Sequence, residues 1–272
     1  MNLDAGGLSP TDLSIDQVPM AIADAEISAG IQFKPDLSAN ATLIHDEGAV
    51  LADQAYATWN SPWLDVSAGK QTLPSGLYPS HLIHDPLLID DLETIAPSIL
   101  VRKEWGFATG HFAAANLAQR TTTTSDDGIE SDISIAYPAI ITALDLKWRE
   151  DGLLRLSSQF AHHSRILSLG AQIPVGFFAL DLEGSATDGA WVESDLAALA
   201  GLAWKPFESM ELATRFDASK AHSTGSWTKS VAVGGTLSLA EIAYTSVEWM
   251  HDLDGDGNLT LRLGLEGDLR IP

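Results

Sequence analysis

The sequence predicts an all-β fold, an antiparallel transmembrane β-barrel of about 15–16 strands. Its last fourteen residues, 259–272, alternate apolar residues with polar residues or Gly, apart from Gly267, and so form a strand with two different faces. Residues 21–33 and 210–219 alternate in the same way, with carboxylates or Arg opposite the apolar face. A soluble sandwich needs only about seven to nine such strands, whereas this alternation extends over nearly the whole chain.

Turn residues separate roughly fifteen strand patterns. They fall at about 20–34, 37–46, 49–59, 63–73, 96–106, 109–120, 134–149, 152–163, 165–173, 176–185, 191–205, 208–219, 226–238, 241–251 and 258–270. No strand pattern is visible before residue 20. Because bacterial single-chain barrels have an even number of strands, the pattern predicts a missing first strand and about sixteen strands in the full barrel.

Composition narrows the class of protein further. No linker divides the 272 residues, so they are expected to form a single outer-membrane barrel domain, 1–272. There is no run of about 18 uncharged apolar residues, which excludes a membrane-spanning helix. The net charge of −22 argues against nucleic-acid binding, and the lack of Cys excludes disulfides and thiolate metal sites. No secretory signal is visible, so an exported protein would be a mature, engineered or incomplete form here.

The connections between strands alternate between short and long in the second half of the chain. Tight turns occur at 34–36, 60–62, 105–107, 150–152, 174–176, 205–207 and 239–240, and longer connections at 74–95, 121–133, 186–190, 219–225 and 252–257. Short periplasmic turns and longer extracellular loops are typical of outer-membrane barrels. The order predicts that residues 1–19 are an extracellular lead-in and that the 74–95 loop can fold into the lumen.

Tryptophans near strand ends are the second positional signal. They are Trp59, Trp63, Trp105, Trp148, Trp204 and Trp249. Amphipathic rings at these places are typical of the aromatic girdles of membrane barrels. Core tryptophans of a soluble sheet are the alternative interpretation.

Residues 49–106 carry a family resemblance. Its segments are Asp-Gln-Ala-Tyr-Ala-Thr-Trp at 53–59, Ser-Ala-Gly-Lys-Gln-Thr-Leu-Pro-Ser-Gly at 67–76, Asp-Pro-Leu at 85–87 and Glu-Thr at 93–94. Together they resemble the LbtU-type siderophore porins of the outer membrane, a family related to the phosphate-selective porins. Elsewhere only the rhythm of the strands is similar. The chain departs from the family in its first strand and in its last residue, Pro272, where an aromatic residue is common.

The resemblance implies a porin in the outer membrane of a gram-negative bacterium. Small hydrophilic solutes, and ferric siderophores among them, would diffuse passively through its charged lumen. Outer-membrane lipid and these solutes are the expected partners, no enzymatic activity or cofactor is expected, and a homotrimer is one option for an open oligomeric state. Signatures such as HExxH, GxSxG, GxGxxG and the P-loop do not occur in the sequence. The alternative function is a soluble secreted β-sheet binding or adhesion protein.

The Gly-Lys-Gln element and the loop after it are the predicted constriction. Its residues are Gly69, Lys70, Pro74, Gly76, Asp85 and Pro86. Gly69 permits a bend or a close backbone approach, Pro74 ends the strand ladder and Gly76 supports a turn. An ordinary surface loop is the alternative.

Charged residues between outward apolar residues are predicted to line the pore. They are Lys147, Arg155, Arg215, Arg262, Asp145, Asp217, Glu211 and Glu266. Opposed charges across a pore create a transverse field that orients and filters polar solutes. The alternative is that these side chains only solvate and cross-link the inner wall.

An acidic turn near the C-terminus is the one candidate metal site. Asp252, Asp254 and Asp256 match the first half of a calcium loop, but Leu263 stands where such a loop has its bidentate Glu. A weak calcium or other divalent-cation site and a plain acidic hairpin turn are the two interpretations. His162 and His163 are adjacent on a strand and face opposite sides, which disfavours a shared metal.

Overall fold

A computed structural model of the chain describes residues 2–4, 25–46, 49–77, 94–124, 130–148, 152–162, 164–189, 194–221, 223–240, 243–253 and 257–265. These residues form sixteen strands in one hydrogen-bonded sheet. Within the same residues, we find no helix that is long and apolar enough to cross a membrane.

The strands follow one another along the chain with the following bounds. They are β1 Asn2–Asp4, β2 Ala25–Lys34, β3 Leu37–Asp46, β4 Ala49–Asn60, β5 Asp65–Thr72, β6 Ile95–Trp105, β7 Ala108–Thr124, β8 Glu130–Trp148, β9 Gly152–Ala161, β10 Ser164–Val175, β11 Phe178–Gly189, β12 Ser194–Phe207, β13 Met210–Ala221, β14 Trp227–Ala240, β15 Ala243–Asp252 and β16 Gly257–Leu265.

The topology is an antiparallel meander whose ends meet. From β2 to β16 each strand pairs with its neighbours in the chain, without a crossover. The short β1 pairs with β16, so that Leu3 lies opposite Leu263 and Asp4 opposite Arg262. Strand β1 also approaches β2, although among the described residues no hydrogen-bonded pairing joins these two strands. The antiparallel order agrees with the predicted barrel, which the comparison with solved structures below confirms.

The fifteen predicted strands correspond one to one with β2–β16. The sequence revealed no first strand, but the structure has one, β1, inside the expected lead-in at 1–19. Three residues are too few to show a period-two alternation, which explains the omission. Residue 1 and residues 5–24 lie outside the described part of the chain.

The predicted loop at 121–133 is largely strand. Strand β7 continues to Thr124 and β8 begins at Glu130, which makes these the two longest strands, with 17 and 19 residues. Residues 121–124 are four consecutive Thr, a β-branched residue that favours extended backbone. The polar residues of this stretch suggested a loop, but the β-branched Thr residues favour strand, and the backbone pairing of β7 with β8 continues through them.

The sheet has an apolar outer face and a polar inner face, whereas a soluble β-protein has its apolar side chains inside. On β10, Leu167 and Leu169 face outward and are 54% and 53% exposed, whereas Ser168 between them is 2% exposed. On β11, Asp181 and Glu183 are buried while Leu182 is exposed. Apolar side chains outside and polar side chains inside are the arrangement of a membrane barrel.

Aromatic side chains collect at the end of the barrel that carries the short turns. The exposed members of this group are Phe33, Trp59, Trp63, Trp105, Phe107, Phe177, Phe178, Trp204 and Phe207. Phe178 and Trp204, opposite one another in register, stack with ring centroids 6.0 Å apart. An exposed ring of aromatic side chains that includes four amphipathic Trp residues suits the boundary between lipid and water.

Gly69 is the glycine whose lack of a side chain the fold most clearly requires. It lies in β5 opposite Tyr56 of β4, with φ at +138°. A Cβ atom at this position would lie 2.6 Å from the Tyr56 Cα and would also contact the Ala55 carbonyl oxygen. Both the backbone conformation and the close approach of β4 therefore exclude other residues.

We predict that Gly69→Ala lowers the free energy of unfolding by about 3 kcal/mol, because the strained φ and the backbone clash act together. Gly184→Ala is the matched control, since the atom nearest to its new Cβ lies 3.8 Å away. Urea unfolding in lipid vesicles measures both changes. Equal midpoints for the two variants would contradict the prediction.

Candidate functional site

The site begins where β5 leaves the barrel wall. Strand β5 has only eight residues, and the segment after it, residues 73–77, passes along the inside of the barrel. Leu73 packs on Ala113, Ala139 and Ile141 of the inner wall in one apolar cluster. Burial of this leucine holds the start of the segment against β7 and β8.

Hydroxyl groups of β9 and β10 hold the middle of the segment. The Ser75 carbonyl oxygen accepts hydrogen bonds from Ser157 Oγ at 2.5 Å and from Ser168 Oγ at 3.0 Å. The two hydroxyl oxygens are themselves 2.6 Å apart. All three residues are buried, so these bonds satisfy a carbonyl that has left the strand ladder.

Further along, the segment reaches β11. The Leu77 backbone N–H donates to Glu183 Oε1 at 2.8 Å. Gly170 of β10 makes room for this contact, because a Cβ atom there would lie 2.8 Å from the Leu77 Cβ. Residues 73–77 thus follow the inner wall from the end of β5 to β11.

Arg155 is the charged anchor of the segment. Its Nη1 donates to the Gly76 carbonyl oxygen at 2.7 Å. Its Nε and Nη2 donate to the two carboxylate oxygens of Asp145, at 2.6 and 2.8 Å, and His111 Nε2 lies 3.1 Å from Asp145 Oδ2. Such a bidentate pair fixes the guanidinium plane and aims its remaining donor at the loop.

A second ion pair of the inner wall lies on β13 and is more completely buried than the Arg155–Asp145 pair. Arg215 Nε donates to Asp217 Oδ2 at 2.7 Å, and both side chains are buried. Ser230 Oγ lies 3.5 Å from the same carboxylate oxygen. Glu248 of β15 is also buried.

The other predicted pore-lining residues are more dispersed. Lys147 belongs to the inner row of β8, the alternate side chains of a strand that face the lumen, and it is exposed. Glu211 pairs with Lys205 at 2.8 Å. Arg262 occupies the register position opposite Ser246, a residue of the inner row. Glu266 lies outside the described residues.

The structure distributes the predicted constriction residues between strand and loop. Gly69 and Lys70 lie within β5, and Pro74 and Gly76 are buried in the segment after it. Lys70 does not face the lumen: it is exposed on the outer row, where its Nζ donates to the Ala52 carbonyl oxygen at 2.9 Å. Strand alternation explains this position, since its neighbours Gly69 and Gln71 hold the inner row. Asp85 and Pro86 lie outside the described residues.

The predicted calcium turn is only partly described. Asp252 ends β15 opposite Ser230, while Asp254 and Asp256 lie outside the described residues. His162 follows β9, and His163 is likewise outside. Within the described ranges, we find no group of three His, Asp or Glu side chains arranged to hold a metal ion. Calcium binding at the turn stays a prediction.

Sequence reasoning missed the residues that hold the segment. They are the inner-row residues Ser157, Ser168 and Glu183. His111 was also missed, and it pairs with Asp145, which was predicted to line the pore. Each lies at an alternate position of a strand, next to at least one outward apolar residue, and this pattern could have identified it as an inward residue. The role of the two serines could not be predicted, because nothing in the sequence shows that the Ser75 carbonyl oxygen will need a hydrogen-bond donor.

Comparison with known proteins identifies the fold. The outer-membrane channel DcaP of Acinetobacter baumannii has a TM-score of 0.68 at 11% identity, over 97% of this chain and 93% of that one. The anion-selective porin of Comamonas acidovorans has a TM-score of 0.63 at 11% identity, over 90% and 88%. A mutant of Rh. blastica porin has a TM-score of 0.60 at 12% identity, over 93% and 94%. No family model and no curated protein matches the chain. The chain has the fold of an outer-membrane porin.

We predict that Arg155→Ala frees the segment around Ser75. The chain contains no Cys, so a Ser75→Cys thiol can report its own exposure. Loss of a charge-assisted hydrogen bond should raise the rate of labelling by a membrane-impermeant maleimide about 10- to 100-fold.

Lys205→Ala in the same Ser75→Cys background is the control. It also removes an ion-paired cation, but one that pairs with Glu211. Equal labelling rates in the two variants would show that Arg155 does not hold the segment.

Proposed function

We propose that this chain is a porin of the outer membrane of a gram-negative bacterium, through which small hydrophilic solutes diffuse passively into the periplasm. The observation that carries the proposal is the reversed polarity of the sheet, apolar outside and polar inside, with residues 73–77 bound along its inner wall. An inward segment narrows a lumen without closing it, which is how a diffusion channel sets its size limit.

The geometry does not favour the soluble alternative. A soluble sheet would pack its apolar face on protein, whereas the outer side chains of β10, β11 and β12 are exposed. Large exposed apolar surfaces mark sites of contact with a membrane or another protein. A ring of aromatic side chains around one edge of that surface favours contact with a membrane over contact with another protein.

Ferric siderophores are the finer form of the cargo proposal. Their support is the resemblance over residues 53–59 and 67–76, which lie in β4 and β5 and the segment that follows. Gln54, Tyr56 and Gln71 of these stretches face the inside of the barrel. A ferric siderophore therefore belongs among the solutes of any flux assay.

A second copy of the chain is the proposed protein partner, in a homotrimer. The outer faces of β3, β4 and β5 carry Ala39, Ala41, Ala55, Ala57 and Ala68, a group of small side chains on three neighbouring strands. Such a flat surface lets two sheets approach closely. The mass of the detergent-solubilised protein tests this assembly.

We predict that the protein folded in detergent migrates differently on an SDS gel before and after boiling, because a closed barrel resists SDS. The same preparation should give stepwise increases of KCl conductance in a planar lipid bilayer. A heat-dependent band without conductance would contradict a channel. A protein that is folded and soluble without detergent would instead support the binding-protein alternative.

We predict that Leu182→Arg impairs folding into lipid vesicles, because it places a charge on the outer face of β11 at a cost of about 2–4 kcal/mol near the bilayer centre. Asn40→Arg, on the inner row of β3, is the control and should fold normally. The heat-dependent gel band measures the folded fraction. If both variants fold equally well, the outer face does not meet lipid.

A further inference from the structure

The inner wall formed by β11, β13 and β15 carries buried charged side chains. Asp181, Asp217 and Glu248 are at most 1% exposed, and Arg215 and Glu183 are 3% and 4% exposed. These residues belong to β11, β13 and β15. A side chain with so little exposure does not meet solutes that move through water in the lumen.

The inward segment lies on this same side of the barrel. Its contacts are with β7 and β8 through Leu73, with β9 and β10 through Ser75, and with β11 through Leu77. Arg155 and Asp145 serve to hold it there. Three charged groups of this wall, Arg155, Asp145 and Glu183, thus support the segment.

The opposite wall is uncharged over most of its length and open to the lumen. The inner rows of β2, β3 and β4 include Gln32, Asn40, Gln54, Tyr56, Thr58 and Asn60, which are half-buried or exposed. These side chains offer both donors and acceptors of hydrogen bonds. Successive inner residues stand about 6.8 Å apart along a strand and about 4.8 Å from the next strand, which gives a regular grid of polar groups.

A pocket of about 280 Å³ lies on this wall. Its lining includes Gln54, Tyr56, Thr58 and Asn60 of β4, together with Asp65 and Arg102, which are opposite one another in register. Arg102 also pairs with Glu104, so the positive charge is balanced. This volume is slightly below the range of about 300–1,000 Å³ that is usual for ligand pockets, which restricts the occupant to a small solute of about monosaccharide size.

We propose that the solute path follows the β2–β5 wall and that the solutes it favours are neutral and polyhydroxylated, of monosaccharide size. Amides and hydroxyls can replace the water around such a solute one hydrogen bond at a time. The Tyr56 ring adds an apolar face for the C–H side of a sugar ring. Charged solutes find few opposite charges on this wall. This inference rests on the proposed porin function and names its substrate class.

Liposome swelling tests the inference with three probes of one size: glucose, cationic glucosamine and anionic gluconate. A ferric siderophore is the fourth probe. Glucose should enter fastest, and Gln54→Leu and Thr58→Val should each lower its rate about two- to tenfold, the factor that corresponds to one neutral hydrogen bond. KCl conductance should stay the same, because both substitutions preserve volume.

Leu169→Val is the control, since Leu169 lies on the outer face of β10, away from this wall. The heat-dependent gel band shows whether each variant is folded. If Gln54→Leu does not fold, the glucose flux of Thr58→Val alone tests the inference. Equal rates for the three small probes, a faster siderophore, or a parallel loss of glucose flux and KCl conductance would each overturn the inference. A folded barrel without conductance or swelling would instead overturn the porin function.

Discussion

The need to pair every backbone amide within the membrane is the constraint on which the rest of this structure depends. Lipid offers no hydrogen bonds, so a sheet that crosses it must have no free edge. Strands β2–β16 satisfy one another in sequence order, and β1 brings the ends together by pairing with β16 and contacting β2. Once the sheet is closed, strand alternation assigns each residue to lipid or lumen, and the polarity of the two faces follows.

The same constraint explains how residues 73–77 are held. Where the chain leaves β5, its carbonyls lose their strand partners inside the barrel and need other donors. Two serine hydroxyls and the guanidinium of Arg155 supply them. Asp145 orients that guanidinium, so an ion pair that looks like a selectivity element has a mechanical role. A loop bound at several points keeps the width of a lumen constant, because each local opening must break more than one hydrogen bond.

Strand number and order could be predicted from the sequence because alternation is a local property that repeats fifteen times. The inward position of Arg155 and Asp217 followed from the same rule. The resemblance placed Lys70 in the constriction element without fixing its parity, although strand alternation turns this side chain outward. Local pattern could not show that Arg215 and Asp217 are buried, since burial depends on packing between distant parts of the chain. The three residues of β1 carry too little pattern to be recognised.

The net charge of −22 says little about what crosses this barrel, because several charged side chains of the inner wall are buried. A charge taken out of water costs several kcal/mol unless it is paired, so buried charges are committed to their partners. Arg215 with Asp217, and Arg155 with Asp145, are pairs of this kind. They cannot serve permeating ions without breaking the contacts that stabilise the wall. Most of the polar groups that remain accessible on the described inner rows of β2–β4 are amides, hydroxyls and a phenol. Selectivity would then arise from hydrogen bonding along one wall, while the opposite wall maintains the width of the passage.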